Sequence, residues 1–296
     1  MVVISDVHLD VIHDTSFDYY GKRLATCSSD KTVKIFTVEG ESYRLAETLT
    51  GHQGPVWRVS WAHPKFGTIL ASSSYDGKVL IWKEINGKWT QLCSYAVHSA
   101  SVNSIKWAPH EFGAILLAGS SDGNISIVEL KEDKLEKPII INLNTVGVSS
   151  VDWAPFISGK HDDESKSIRR FLTGGVDNLV KVWKFDYELE TYILEDNLEG
   201  HSSLIKDVSW APTVLLNTYV ATVSEDKTCI IWTQENNEGK WKKTLLNDKP
   251  FSSELCRVNW SLSGNILALS SSDNQITLWK ENLEGKWETA SDIPQE

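Results

Sequence analysis

Six times along this chain an aspartate stands six residues ahead of the second member of an apolar pair. The aspartates are Asp30, Asp76, Asp122, Asp177, Asp226 and Asp273. The pairs are Ile35-Phe36, Ile81-Trp82, Ile127-Val128, Val182-Trp183, Ile231-Trp232 and Leu278-Trp279, and their second members step by 46, 46, 55, 49 and 47 residues. A unit of this length is too small to bury its own faces, so copies must stack on one another. The long step contains a charged insertion, Ser158 to Arg170, which reads as an exposed loop.

Each unit reads as four short strands. Nine residues before an upstream aromatic (Phe17, Trp61, Trp107, Trp153, Trp210, Trp260) stand His8, His52, His98, Asn144, His201 and Phe251. Five residues before it stand Ile12, Val56, Val102, Val148, Ile205 and Leu255. Val56-Trp57-Arg58-Val59-Ser60-Trp61 comes close to period two, the mark of a strand. Ile69 to Ser74 is a short buried strand, and Tyr75-Asp76-Gly77-Lys78 is a tight turn. Val79 to Trp82 is a third strand. Asn86-Gly87 is a further turn, leading to a fourth strand from Trp89 to Tyr95.

Leu49-Thr50-Gly51-His52, Leu70-Ala71-Ser72, Tyr75-Asp76-Gly77 and Ile81-Trp82 together resemble one full WD40 repeat, with five variants along nearly the whole chain. The resemblance implies an all-β fold, a six-bladed WD40 β-propeller forming a single domain over 1–296, with repeats at roughly 8–50, 51–96, 97–143, 144–199, 200–247 and 248–290. It also implies a structural hydrogen-bonded set in each blade: loop His, strand Ser or Thr, turn Asp and strand Trp. Here that set falls on His52, Ser74 (or Ser72), Asp76 and Trp82; on His98 and Asp122; and on His201, Ser224 (or Thr222), Asp226 and Trp232. Repeated His, Ser and Asp invite a hydrolase reading, but an active site occurs once and this set recurs. No catalytic residue is expected. Val128 in the third unit, Asn144 in the fourth and Phe251 in the sixth depart from the pattern.

The remaining composition narrows the function. A net charge of −11 repels phosphate backbones and anionic membranes, so no nucleic-acid partner is expected. Cys27, Cys93, Cys229 and Cys256 form no C-x-x-C pair and lie at no metal spacing, so reduced thiols, no metal and no cofactor are expected. The chain shows neither a signal peptide nor an apolar run long enough to span a membrane.

The two ends suggest an unfastened ring. The first unit begins with its own first strand near Val11 to Phe17. Gly285-Lys286-Trp287 repeats Gly87-Lys88-Trp89 and Gly239-Lys240-Trp241, giving the sixth unit its own fourth strand. Only Val2, Val3 and Ile4 remain as a spare apolar piece. Open end blades would expose apolar surface to a partner, with contacts expected at Val2, Val3, Ile4, Ile12, Ile35, Trp260, Leu267 and Leu278. Leu24-Ala25-Thr26-Cys27-Ser28-Ser29-Asp30-Lys31, Gly54-Pro55-Val56-Trp57-Arg58-Val59 and Trp61-Ala62-His63-Pro64-Lys65-Phe66-Gly67 resemble the family of small WD40 subunits of the COPII outer coat.

That resemblance implies an open propeller completed in trans by a blade from the large outer-coat subunit, in a heterotetramer. The implied role is as a non-catalytic scaffold in ER-to-Golgi vesicle budding. It also implies a nucleoporin partner in the nuclear-pore Y-complex and a place in a vacuolar nutrient-signalling complex. The implied locations are the cytoplasmic face of the ER and COPII vesicles, the nuclear pore and, peripherally, the vacuolar membrane. A WD40 scaffold of the nuclear pore alone, or a WD40 peptide-reading adaptor, is the alternative.

Overall fold

Alternating apolar patterning and turn residues at fixed offsets produce strands almost throughout. A computed structural model describes residues 4, 7–143, 146–157, 167–212, 217–235 and 239–292. They divide into two compact units, 1–144 and 145–296, each carrying three antiparallel sheets or blades. In the first unit, blade 1 comprises Ile12–Phe17, Arg23–Ser28, Thr32–Glu39 and Ser42–Thr50; blade 2 comprises Val56–Trp61, Ile69–Ser74, Val79–Ile85 and Lys88–Tyr95. Blade 3 has Val102–Trp107, Ile115–Ser120, Asn124–Lys131 and Ile139–Asn142, with the short strand Lys134–Leu135 pairing beside the last.

In the second unit, blade 4 comprises Val148–Trp153, Arg170–Gly175, Val180–Asp186 and Thr191–Leu198. Blade 5 comprises Ile205–Trp210, Asn217–Ser224, Cys229–Glu235 and Lys242–Leu245. Blade 6 comprises Leu255–Trp260, Ile266–Ser271, Ile276–Glu281 and Trp287–Asp292. Four-stranded sheets made of consecutive strands are the blades of an all-β WD40 propeller.

Side-chain parity decides which way each residue packs. Within each unit, the first member of an apolar pair packs toward the next repeat. Ile35 joins Val56, Val59 and Leu70 of blade 2, Ile81 joins Val102 and Leu116 of blade 3, and Ile231 joins Leu255 and Leu267 of blade 6. The second member faces the preceding repeat, as Trp82, Trp232 and Trp279 do. Blade 2, between blades 1 and 3, is therefore buried on both faces: every residue of Ile69–Ser74 is buried. The three Gly-Lys-Trp units follow the same logic. Trp89, Trp241 and Trp287 sit edge-on to Trp61, Trp210 and Trp260, with ring centroids 5.8, 5.8 and 5.7 Å apart. Gly174 is fixed by this close packing. A Cβ there would lie 2.7 Å from Ile205 Cγ2 of blade 5.

The insertion expected as an exposed loop is partly built into the fold. Residues 158–166 lie outside the described residues. Its last residue, Arg170, begins a strand, is 4% exposed, and reaches Glu195 at 2.6 Å and Gln234 of blade 5 at 3.2 Å. A buried guanidinium needs such partners, so this end of the segment is structural.

Two hairpins make an internal comparison. Asn86 and Gly87 turn with φ of 50° and 76°, while Glu132 and Asp133 make the same kind of turn with φ of 48° and 63°. Left-handed backbone costs a β-carbon-bearing residue about 1–2 kcal/mol, least for Asn and Asp, and nothing for Gly. Asp133 also carries a part-exposed ion pair to Lys83, worth at most about 1 kcal/mol. Glu132→Asn with Asp133→Gly should therefore raise stability by about 1 kcal/mol, read as a higher urea midpoint at unchanged slope. An unchanged or lower midpoint would show that the turn carries no strain.

Candidate functional site

The polar set closes on itself within each blade that carries it. In blade 2 the Trp82 indole N–H donates to Ser72 Oγ at 2.9 Å, and Ser72 Oγ lies 2.9 Å from His52 Nε2. His52 Nδ1 lies 3.1 Å from Asp76 Oδ2, which also accepts the Gln53 N–H, while Asp76 Oδ1 accepts that of Lys78. This chain of donors fixes the imidazole as Nδ1–H with Nε2 accepting. Blade 5 repeats it through Trp232, Thr222, His201 and Asp226, with Thr228 as a further donor. In blade 3, where Val128 replaces the tryptophan, His98 turns to Ser126 on the third strand at 2.8 Å and keeps Asp122 at 3.2 Å. Blade 1 carries a set built on His8, Thr26 and Asp30.

Ser74 and Ser224, expected in the relay, stand outside it. Ser74 Oγ donates to the Gly54 carbonyl and accepts the Asp76 N–H; Ser224 does the same with Ser203 and Asp226. Ser72 and Ser74 share one face of their strand, and position along it separates them: Ser74 ends the strand at the Asp76 turn, whereas Ser72 lies opposite Leu80, within reach of both Trp82 and His52. A bulge lies at Trp57, where Val56 opposes Ser74 but Arg58 opposes Ser73, and one lies near the same place in all six first strands.

Burial holds these imidazoles neutral. It lowers the pKa of His52, His98 and His201 below 6.5, outweighing the aspartate beside each. Burial also raises the pKa of Asp76, Asp122 and Asp226, but their donors outweigh it and the net direction is below 3.8. Both shifts mean that the unfolded chain binds more protons than the folded one. Stability is therefore complete above about pH 7, falls as pH drops below about 6.5, and falls again below about 4. Urea midpoints between pH 5 and 8 measure this; a midpoint that rises toward pH 5 would contradict neutral imidazoles.

Further carboxylates link neighbouring first strands, a feature the sequence reading missed. Asp14 accepts the Val59 N–H and Asp152 that of Trp210. Asp207 accepts from both Val258 N–H and Ser150 Oγ. Trp61, Trp107 and Trp260 donate their indole N–H to carbonyls of the preceding blade. Polar residues at inner-strand positions where alternation calls for apolar ones were the available signal. These groups are spent on joining blades, and among the described residues no group of three or more His, Cys, Asp or Glu is placed to hold a metal ion. The four cysteines are free thiols.

The expected partner contacts separate by face. Val2 and Val3 lie outside the described residues, and Ile4 is half-buried. Ile35 and Leu267 are not available: they are 1% and 0% exposed, packed on blades 2 and 5. Trp260 also packs toward blade 5, against Tyr219 and Trp287. Parity explains the correction, since Leu267 and Trp260 occupy positions that face the preceding repeat and Ile35 one that faces the next. Ile12 and Leu278 lie on the other faces. Ile12 is 44% exposed, and Leu278 is half-buried beside Ile276, which is 47% exposed. The second strand of blade 6 alternates accordingly, with Leu267 and Leu269 buried but Ile266, Ala268 and Ser270 only half-buried. On blade 1 the first strand leaves Phe17 52% exposed.

The chain matches the family described as WD domain, G-beta repeat, over residues 3–37, 43–83, 89–128 and 193–233. It is 63% identical over 298 residues to protein transport protein SEC13 of Saccharomyces cerevisiae, covering 100% of both chains. Its identity to the protein of the same name from Yarrowia lipolytica is 54%, over 98% of each chain. To that from Emericella nidulans it is 50%, over 99% of this chain and 98% of the other. Repeats, blades and full-length identity agree, and the chain belongs to the WD40 repeat family and, within it, to the SEC13 family.

Proposed function

We propose that this chain is a non-catalytic scaffold subunit in protein transport, joined to a larger partner that adds a blade to its end blades. The observation that carries the reading is the one-sided burial of blade 6: Leu267 and Leu269 are buried against blade 5, whereas Ile266, Ala268 and Leu278 are half-buried and Ile276 is exposed on the other face. Strand addition satisfies edge backbone groups while apolar faces supply the free energy. The relatives' name, protein transport protein, supports the setting.

The six repeats then act as one propeller domain over 1–296. The partner is the large COPII outer-coat subunit, in a heterotetramer at the cytoplasmic face of the ER and its vesicles. The same faces serve a nucleoporin of the Y-complex at the nuclear pore and a nutrient-signalling complex at the vacuolar membrane. Absence of catalysis is supported by the His–Asp pairs, which recur in blades 1, 2, 3 and 5 and are closed by backbone and side-chain partners. Affinity purification of the full chain from cells tests the reading. A larger chain at one-to-one stoichiometry is expected; recovery of the chain alone would contradict it.

A further inference from the structure

Within each unit, the seat between one blade and the next is filled in the same way. The first strand of the later blade brings two aliphatic side chains, three residues apart, against the first member of the apolar pair before it. Val56 and Val59 meet Ile35, Val102 and Ile105 meet Ile81, Ile205 and Val208 meet Val182, and Leu255 and Val258 meet Ile231. Two residues further on, a tryptophan ends the strand. Trp61 donates its indole N–H to the Ser16 carbonyl at 2.9 Å, Trp107 to that of Ser60 at 3.0 Å and Trp260 to that of Ser209 at 3.1 Å. Trp210 packs in the same place against blade 4, with its N–H unpaired. The three acceptors share one register: Ser16, Ser60 and Ser209 each lie opposite an alanine of the second strand, Ala25, Ala71 and Ala221.

Asn259 holds that register in blade 6, opposite Ala268. Ser60 and Ser209, each followed by a blade that brings its tryptophan, are 8% exposed, whereas Asn259 is exposed. Leu278 holds the position of Ile35, Ile81, Val182 and Ile231, yet it is only half-buried, beside the exposed Ile276. We propose that the partner segment docking on blade 6 carries the motif aliphatic-x-x-aliphatic-x-Trp on its own first strand, with the tryptophan N–H donating to the Asn259 carbonyl. This rests on the reading that a partner adds a blade at this face, and it states what that blade must present.

Each part of the motif has a physical reason. The two aliphatic side chains cover Leu278, and a charge at either place would be buried there unpaired. The indole supplies apolar area together with one donor. A phenylalanine would fill the same space but leave a covered carbonyl without its N–H. The chain's own first strand does not meet the requirement. It runs Ile12-His13-Asp14-Thr15-Ser16-Phe17, with Thr15 at the second aliphatic place and Phe17 at that of the tryptophan. A second copy docked through blade 1 is therefore the poorer occupant, and a blade of a different chain the better one.

The test maps which segment of the captured partner gains hydrogen-exchange protection together with Ile276–Glu281 of the full chain. That segment should contain the motif. In the partner, Trp→Phe, which removes little besides the N–H, should weaken capture about tenfold, and Trp→Ala at least ~hundredfold. The indole N–H of the unaltered partner should exchange slowly in the complex, a readout that does not depend on how the variants fold. Ile276→Asp with Leu278→Asp separates the two claims. Normal capture by that variant would overturn both the docking face and the motif. Lost capture combined with a protected segment that lacks the tryptophan, or with a Trp→Phe partner captured like the parent, would overturn the proposal and leave docking on blade 6 standing.

Discussion

Asp226→Ala and Asp76→Ala should each lower stability by about 2–4 kcal/mol. Asp226 accepts from His201, from the Ser202 and Thr228 N–H groups and from the Thr228 hydroxyl; Asp76 accepts from His52, Gln53 and Lys78. An alanine leaves these donors without an acceptor, and one of them is a buried imidazole N–H. Hydrogen bonds to a charged group are worth about 1.5–3 kcal/mol, and a buried orphan adds its desolvation cost. Asp133→Ala is the control. That carboxylate is 46% exposed and paired only at the surface with Lys83, so its loss should stay below about 1 kcal/mol. Urea unfolding of the three variants decides. Equal midpoints for Asp226→Ala and Asp133→Ala would show that the relay does not hold the blade together.

Charge placed on the unpacked face of blade 6 should cost partner binding and spare the fold. Ile276→Asp with Leu278→Asp puts two carboxylates on the face turned away from blade 5. The melting temperature of the free chain should move by no more than about 2 °C, because neither carboxylate is forced into the core. Capture of the larger partner should weaken by on the order of a hundredfold or more, since a covered face would bury both charges unpaired. Leu267→Asp, one residue of parity away and 0% exposed, should instead unfold the chain. Normal capture by the double variant would exclude this face as the docking surface.

The period, the strands and the turns were legible because they rest on residues that recur. Asp and the apolar pair keep one offset through all six units, and the upstream aromatic keeps another to the residues five and nine before it, so local pattern and fold agree. What failed to read was parity. A strand side chain faces one side or the other according to register, and the bulge at Trp57 shifts register without any mark in composition. Ser74 looked as suitable for the relay as Ser72 because the two share a face, and distance along the strand from Trp82 separates them.

The ambiguity of parity placed Ile35, Trp260 and Leu267 among the partner contacts. Aligning the repeats resolves part of it. Leu278 and Ile35 hold one position in their repeats; Ile35 is buried with blade 2 against it, whereas Leu278 is half-buried. Phe17 holds the position of Trp61, which faces the preceding repeat, and it stays half exposed. The carboxylates Asp14, Asp152 and Asp207 left one signal, polar residues at positions where alternation calls for apolar ones, but a polar residue on an inner strand reads equally as a solvent-facing one.

Hydrogen–deuterium exchange on the purified chain, alone and with its captured partner, tests the scaffold claim most directly. Amides in Ile276–Glu281 and Ile12–Phe17 should gain protection when the partner is present, while those in Ile69–Ser74, already buried on both faces, should not change. Protection appearing elsewhere, with both end strands exchanging as in the free chain, would contradict docking on the end blades.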